Sequence, residues 1–309
     1  MSYSGNDTFP ADFDDRRANT TITSDLDVTA RELDFVTRFG RNWDALREIM
    51  GIMRPIRKAA GTRLRAYTAS VTLESGAVPE GAEIPYSHAE VDEALTTDIT
   101  MSKYAKAVSI EAVAAYGADV AIAKTDEAFL NELQDTVMTS FYGYLDNGQL
   151  TDNEATFQMA VAMAVGNVRD HFKKAHKNYS SIVAFVNTLD AYRYLGSANI
   201  TVQTMNGIEY VKNFMGADAV ILSSEIDEGK VYATASENIV LYYIDPADSD
   251  FAKLGLVYTV AGDTNLIGFH VNGNYGTAVG ETYAIMGMSL WAEDLGGIAV
   301  ITIGESEGD

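Results

Sequence analysis

Residues Thr125 to Leu145 read T-D-E-A-F-L-N-E-L-Q-D-T-V-M-T-S-F-Y-G-Y-L. Phe129, Leu133, Val137 and Phe141 recur every fourth position, and Leu130, Tyr144 and Leu145 widen the stripe, so the spacing predicts one long amphipathic helix. Thr125 is the expected N-cap, and Asp126 and Glu127 set negative charge at the positive end of the helix dipole. Asp146-Asn147-Gly148 supplies the stop, with Asn or Gly expected to take a left-handed conformation. About 20 residues at 1.5 Å each give a rod of roughly 30 Å.

Working outward on the N-terminal side, residues 1–24 are polar and lack apolar periodicity, so an extended arm is expected. Asp25 or Asp27 is expected to cap a helix running to about Met50. Its stripe is Leu26, Leu33, Val36, Phe39, Trp43, Leu46, Ile49 and Met50, and Gly40 is a candidate interruption. Arg38, Arg41, Arg47, Arg54, Arg57 and Lys58 follow that stripe closely. They read either as a solvated face or as cations that grip a neighbour's acidic surface.

Two segments then alternate with period two: Tyr67 to Glu74, and Leu95 to Ser102. Between them lies G-A-V-P-E-G-A-E-I-P-Y-S-H-A-E, which holds two of the chain's five prolines. A long tip without core periodicity is uncommon in a compact domain. An isolated two-stranded hairpin is marginal in water, so a second copy of the chain is the simplest support for it. Lys103 to Gly117 is expected to finish the second strand and turn into a short helix.

Beyond the long helix, Thr151 and Glu154 read as a capping box. It would open a helix with the stripe Phe157, Val161, Val165, Val168 and Phe172. Strands are expected at Ile182–Val186, Ala219–Leu222, Val231–Thr234 and Ile239–Ile244, and helices at Leu189–Leu195 and Gly207–Phe214. From about Thr259 the chain turns β-rich and closes on a strand at Ile298–Ile303, followed by an acidic, loose tail.

Composition bounds the function. The 309 residues carry a net charge of −22 and no cysteine. Thiol nucleophiles, disulfides and cysteine zinc sites are therefore excluded. Residues 1–65 hold 11 of the 22 lysines and arginines against 10 acids, which leaves 11 cations against 34 acids in the rest. Such a surface repels nucleic acid at long range and argues against a sequence-reading DNA binder. No secretory signal or membrane-length apolar run is evident.

The motifs of phosphate-binding loops, zinc peptidases and serine hydrolases are missing. Gly273, Gly276 and Gly280 read as hairpin turns rather than a phosphate cradle. Asp245, Asp248 and Asp250 miss calcium-loop spacing and read as a turn after Pro246. His171 and His176, five apart, do not share a helix face. No catalytic, cofactor-binding or metal-ligating residue is expected, and no cofactor.

The order of parts resembles the major capsid proteins of tailed phages, the Hong Kong 97-like family. The phrases K-Y-A-K-A-V-S-I-E-A, T-D-E-A-F-L and V-Y-A-T-A-S-E-N-I-V-L-Y-Y are similar to phage capsid sequences. The resemblance implies an α+β fold with an N-terminal arm (1–62), an E-loop hairpin (63–105) and a peripheral domain with a long spine helix (106–150). An axial α/β domain (151–258) and a return to the peripheral domain (259–309) complete it.

It also implies a non-enzymatic subunit that self-assembles into pentamers and hexamers of an icosahedral virion shell. That shell would enclose double-stranded DNA without reading its sequence, and would form in the host cytoplasm with no membrane. A separate scaffolding protein, a portal and a decoration protein are the implied partners. Val78, Pro79, Ile84, Pro85 and Tyr86 of the hairpin tip, with Arg38, Arg41, Arg47, Arg54 and Arg57, are the expected intersubunit contacts. An encapsulin-like compartment shares the fold and is the alternative. A hydrolase with an unrecognised site is a third reading.

Overall fold

The computed structural model describes residues 30–51, 55–196, 198, 201–205, 208–260 and 265–304. The arm at 1–24, the caps expected at Asp25 or Asp27, Leu26, Arg54 and the acidic tail at 305–309 lie outside the described residues.

The chain begins with α1 (Ala30–Met50), β1 (Ile56–Arg57) and a hairpin of β2 (Arg63–Thr72) and β3 (His88–Asp98). Next come β4 (Ser102–Ser109), α2 (Ile110–Tyr116), a π-helical turn (Asp119–Lys124) and α3 (Thr125–Leu145). The long helix is thus present with the bounds its stripe predicts. Leu130, Leu133, Val137, Phe141 and Leu145 are buried on its inner face. Tyr142, which the four-residue spacing leaves out, is buried beside them.

Thr125 does not cap this helix. The preceding π-helical turn runs directly into it, and Thr125 has helical dihedrals. Its hydroxyl donates to Ala121 and Ile122 carbonyls and accepts from Lys106 Nζ at 2.8 Å. Nor does the C-terminal stop use a left-handed residue, since neither Asn147 nor Gly148 has positive φ. Gly148 is required for close approach instead. A Cβ there would lie 2.7 Å from Ile298 Cγ2 and 2.8 Å from the Ile298 carbonyl.

The second half holds β5 (Leu150–Glu154), α4 (Phe157–Lys174), β6 (Ile182–Asn187), α5 (Thr188–Leu195), β7 (Gln203–Met205), β8 (Ile208–Phe214), β9 (Ala217–Ser223) and β10 (Lys230–Ala235). It ends with β11 (Ile239–Ile244), α6 (Ser249–Ala252), β12 (Ile267–Asn274), β13 (Val279–Ala292) and β14 (Ile298–Ile303). Two expectations fail here. Thr151 and Glu154 lie in β5, which pairs in parallel with β14, and the cap of α4 is Thr156, whose Oγ1 accepts from Met159 N. Residues 208–214 form a strand rather than a helix, held between β7 and β9.

Two sheets carry the core. One has seven strands in the order β5-β14-β10-β6-β9-β8-β7. Alternate residues of a strand face opposite sides, and here both sides are covered. Ile182, Ala184 and Val186 of β6 pack with α4 through Val161, Val165 and Phe172. Val183 and Phe185 face the cluster built on α1 and α3. That explains why β6 reads as an unbroken apolar run.

The second sheet is organised by β13. Its residues 279–286 lie between β12 and β4, and its residues 287–292 pair with β11, which β1 joins in parallel. The turn between β12 and β13 contains Gly276, whereas Gly273 and Gly280, also read as turn glycines, pair with each other inside the two strands. β11 joins the sheet of β13, whereas β14 joins the seven-stranded sheet.

Candidate assembly surfaces

The hairpin of β2 and β3 forms a two-stranded sheet by itself, with a register shift between Ala66 and Tyr67. Its base is anchored in the body. Leu64 and Ile99 are buried with Tyr242, Ile244 and Trp291. The Gly61 N–H donates to the Ile99 carbonyl at 3.0 Å, and Ile99 N–H to the Thr62 carbonyl at 2.9 Å. From Val71 to Val91 the described side chains are exposed, with only Val78 half-buried.

The tip is held by local bonds alone among those described. Ala82 N–H donates to the Pro79 carbonyl at 3.0 Å across a turn in which Gly81 has φ +81°. Glu74 N–H donates to Ser87 Oγ at 3.2 Å. On this frame Ile84 is 69% exposed and Tyr86 93% exposed. Pro79 and Pro85 lie on the same exposed frame. Large apolar side chains presented together at a loop tip mark an interaction surface.

The arm helix behaves differently from an appendage. Phe35, Val36, Phe39, Trp43, Leu46, Ile49 and Met50 of α1 belong to the main core, and Phe35 stacks on Phe269 at 3.9 Å between ring centroids. Gly40 leaves the helix unbroken. The arginines of this region find carboxylates within the chain. Arg38 pairs with Asp34 at 3.8 Å, Arg47 with Asp44 at 2.9 Å, and Arg57 with Asp245 at 3.3 Å and Asp248 at 2.8 Å. Arg41 lies on the exposed face of the same helix. Asp245 and Asp248, two of the aspartates weighed as calcium ligands, thus hold Arg57.

Two buried carboxylates fasten α1 in place; the sequence reading passed over Glu32 and gave Asp126 only a helix-dipole role. Glu32 is 2% exposed and accepts from Val271 N at 2.6 Å and Thr259 Oγ1 at 2.8 Å. Asp126 is 8% exposed and accepts from Arg31 and from Lys106 Nζ at 2.5 Å. Burial alone would raise the Asp126 carboxyl, but the hydrogen bonds from Arg31 and Lys106 prevail and hold it below the usual carboxylate range. Burial pushes the Lys106 ammonium down, against its bond to Asp126.

His171 turns to Asp294 at 3.2 Å, which also takes Lys177 at 2.5 Å. Among the described residues no group of three His, Asp or Glu side chains could hold a metal ion. None of the described helices is long and apolar enough to cross a membrane.

A long helix laid over one sheet, a projecting hairpin before it and a sheet covered on both faces define the Hong Kong 97-like fold, and the chain has that fold. It superposes on the capsid of the cyanophage P-SCSP1u with a TM-score of 0.52, covering 82% of this chain and 87% of that one at 10% identity. The capsid of the cyanophage A-1(L) gives the same score and identity over 92% of this chain and 98% of the other. The SrpI encapsulin of Synechococcus elongatus aligns at a TM-score of 0.46, 12% identity and 95% of each chain, a score too low to carry an argument. No family model matches the sequence, and no curated protein is similar to it. At such identities the likeness speaks for the fold alone.

Proposed function

We propose that this chain is a shell-forming subunit, the major capsid protein of a tailed double-stranded DNA phage. It assembles into pentamers and hexamers of an icosahedral head that encloses the genome. The observation that carries this reading is the hairpin: anchored at its base, it presents Ile84 and Tyr86 to solvent on a Hong Kong 97-like body. An exposed apolar tip is explained if neighbouring copies cover it, and heterologous contacts of that kind close into rings.

In this reading Val78, Pro79, Ile84, Pro85 and Tyr86 lie on a neighbour. The arginines at 38, 41, 47, 54 and 57 meet carboxylates of neighbouring subunits. The role is structural and non-enzymatic. Scaffolding, portal and decoration proteins are its partners, the packaged DNA is enclosed without sequence readout, and assembly takes place in the host cytoplasm. The unit boundaries near residues 62, 105, 150 and 258 belong to the same proposal.

Electron microscopy of the purified protein tests it. Closed particles built from pentamers and hexamers are expected. A protein that stays monomeric at every concentration would end the shell reading. Particles from the producing host that absorb more at 260 than at 280 nm hold nucleic acid, and the opposite ratio would favour a protein-filled compartment.

A further inference from the structure

A cleft of about 440 Å³ opens where α1, α3 and the β8–β9 pair meet. That volume falls in the range of about 300–1,000 Å³ typical of ligand sites. Its apolar lining includes Trp43, Met138 and Ile208, and three carboxylates join them: Asp135, Glu209 and Glu225. No lysine or arginine lines it among the described residues.

The carboxylates have little to hold. Glu225 accepts from Thr139 Oγ1 at 3.3 Å, and Glu209 from the Tyr192 hydroxyl at 3.3 Å. Among the described residues Asp135 has neither a hydrogen bond nor an ion pair. Burial, then the negative fields of Glu225 and Glu132, push its carboxyl up. Elsewhere the chain pairs its carboxylates with its own cations, as at Asp126, Asp146, Asp190, Asp245 and Asp294. Here a concave surface gathers three acids, and no cation lines it among the described residues.

The geometry points to this cleft as the docking site for a lysine- or arginine-bearing peptide segment of a separate protein. Long cationic side chains suit both halves of the site, because their methylene stems pack on apolar surface while the charged heads stay with polar partners. Polyanions are repelled by the same carboxylates. A second copy of this chain is a poor occupant. Its net charge is −22, and most cations in its described residues are already paired, among them Arg31, Arg57, Lys106, Arg193 and Lys230. The inference stands apart from the shell reading, since it needs only the single chain.

The test is fluorescence anisotropy of a fluorescein-labelled peptide of repeated Arg-Leu-Ala units against the unassembled full-length protein at low salt. The triple variant Asp135→Asn, Glu209→Gln, Glu225→Gln is expected to weaken binding about tenfold, since several exposed pairs of about 0–1 kcal/mol each are lost together. Removing three hairpin acids, Glu74→Gln, Glu83→Gln and Glu90→Gln, is expected to leave it unchanged. Ser224→Arg keeps all three carboxylates but tethers a cation at the cleft, and is expected to cut binding as strongly. It decides the matter if the triple variant melts early.

Equal loss in the cleft and hairpin variants would reduce the effect to general attraction by an acidic chain and overturn the proposal. So would no loss in either cleft variant, or no binding by the wild type. No peptide binding by a wild-type protein that still forms normal particles would sink this proposal and leave the shell reading in place.

Discussion

Arg31 and Asp126 stand 95 positions apart, and their side chains meet through two hydrogen bonds, Nε to Oδ2 at 2.6 Å and Nη2 to Oδ1 at 2.8 Å. Arg31 Nη2 also donates to Thr282 Oγ1 at 3.1 Å. One guanidinium thus ties the first turn of α1 to the first turn of α3 and to β13. Lys106 reaches the same carboxylate from β4. Asp126 therefore joins three parts of the fold at the start of the long helix.

Asp126→Ala should be among the costliest polar substitutions. It leaves two cations without their shared anion. Breaking a buried pair costs about 3–5 kcal/mol, and the partial exposure of Arg31 lowers the expectation to about 2 kcal/mol. Urea unfolding at neutral pH measures it. A loss below about 0.5 kcal/mol would mean that the clasp adds no stability.

The same groups set an acid limit. Asp126 and Asp294 both have folded carboxyls held below their ordinary value of about 3.9. For Asp294 burial alone would raise it, and the bonds from Lys177 and His171 outweigh that. A depressed carboxyl stabilises the fold above the unfolded value, and the contribution is lost as pH falls through the folded one. The urea midpoint should therefore drop below about pH 4. Asp294→Asn should be weaker at pH 7 yet flatter in acid. An unchanged acid slope in that variant would exclude Asp294 as a contributor.

Gly148→Ala tests close packing at the end of α3. The added methyl would meet Ile298 and Val300 side chains and the Ile298 backbone at 2.7–2.8 Å. Backbone cannot swing aside as a flexible side chain can, so overpacking of about 1–3 kcal/mol is expected. Gly40→Ala, which meets nothing within 4 Å, should be neutral or stabilising. Comparable losses in both would mean that the close approach of Gly148 to Ile298 does not set the cost.

Periodicity made much of this fold readable, and its failures have physical causes. The stripe of α3 and the bounds of β11 and β14 follow directly from apolar spacing. Residues 208–214 misled because Ile208, Val211 and Phe214 recur every third position, as on a helix. Their strand form comes from β7 and β9 on either side, and Asn213 breaks the regular alternation with φ +54°. The T-x-x-E of Thr151 was outweighed by parallel pairing with β14, a partner about 150 positions away. Glu32 and Asp126 look like ordinary helix-surface acids until distant partners enclose them. The cleft was illegible for the same reason, since its three carboxylates come from three separate elements.

The hairpin tip should separate folding from assembly. Ile84 and Tyr86 are exposed in the single chain, so replacing both with Asp should change its stability by no more than about 0.5 kcal/mol. Under the shell reading the same pair of charges would be desolvated against a neighbour, and sedimentation should show subunits without particles. Normal particles from this variant would place the contacts elsewhere.

The last expectation concerns how a filled head holds together. Under the capsid reading a packaged genome would press outward, and a chain of net charge −22 would offer DNA repulsion rather than adhesion. Covalent cross-linking through the hairpin would need a lysine amine that can lose its proton and attack an amide carbonyl. Arginine cannot serve, because its guanidinium stays protonated. No lysine occurs between Lys58 and Lys103, and the chain has no cysteine for a disulfide. The shell should therefore be noncovalent, relying on apolar burial at the hairpin tip and on strand pairing between copies. Boiling mature particles in detergent should release one band near 33.5 kDa. Ladders from dimers to hexamers that survive reducing conditions would show that another residue supplies the nucleophile.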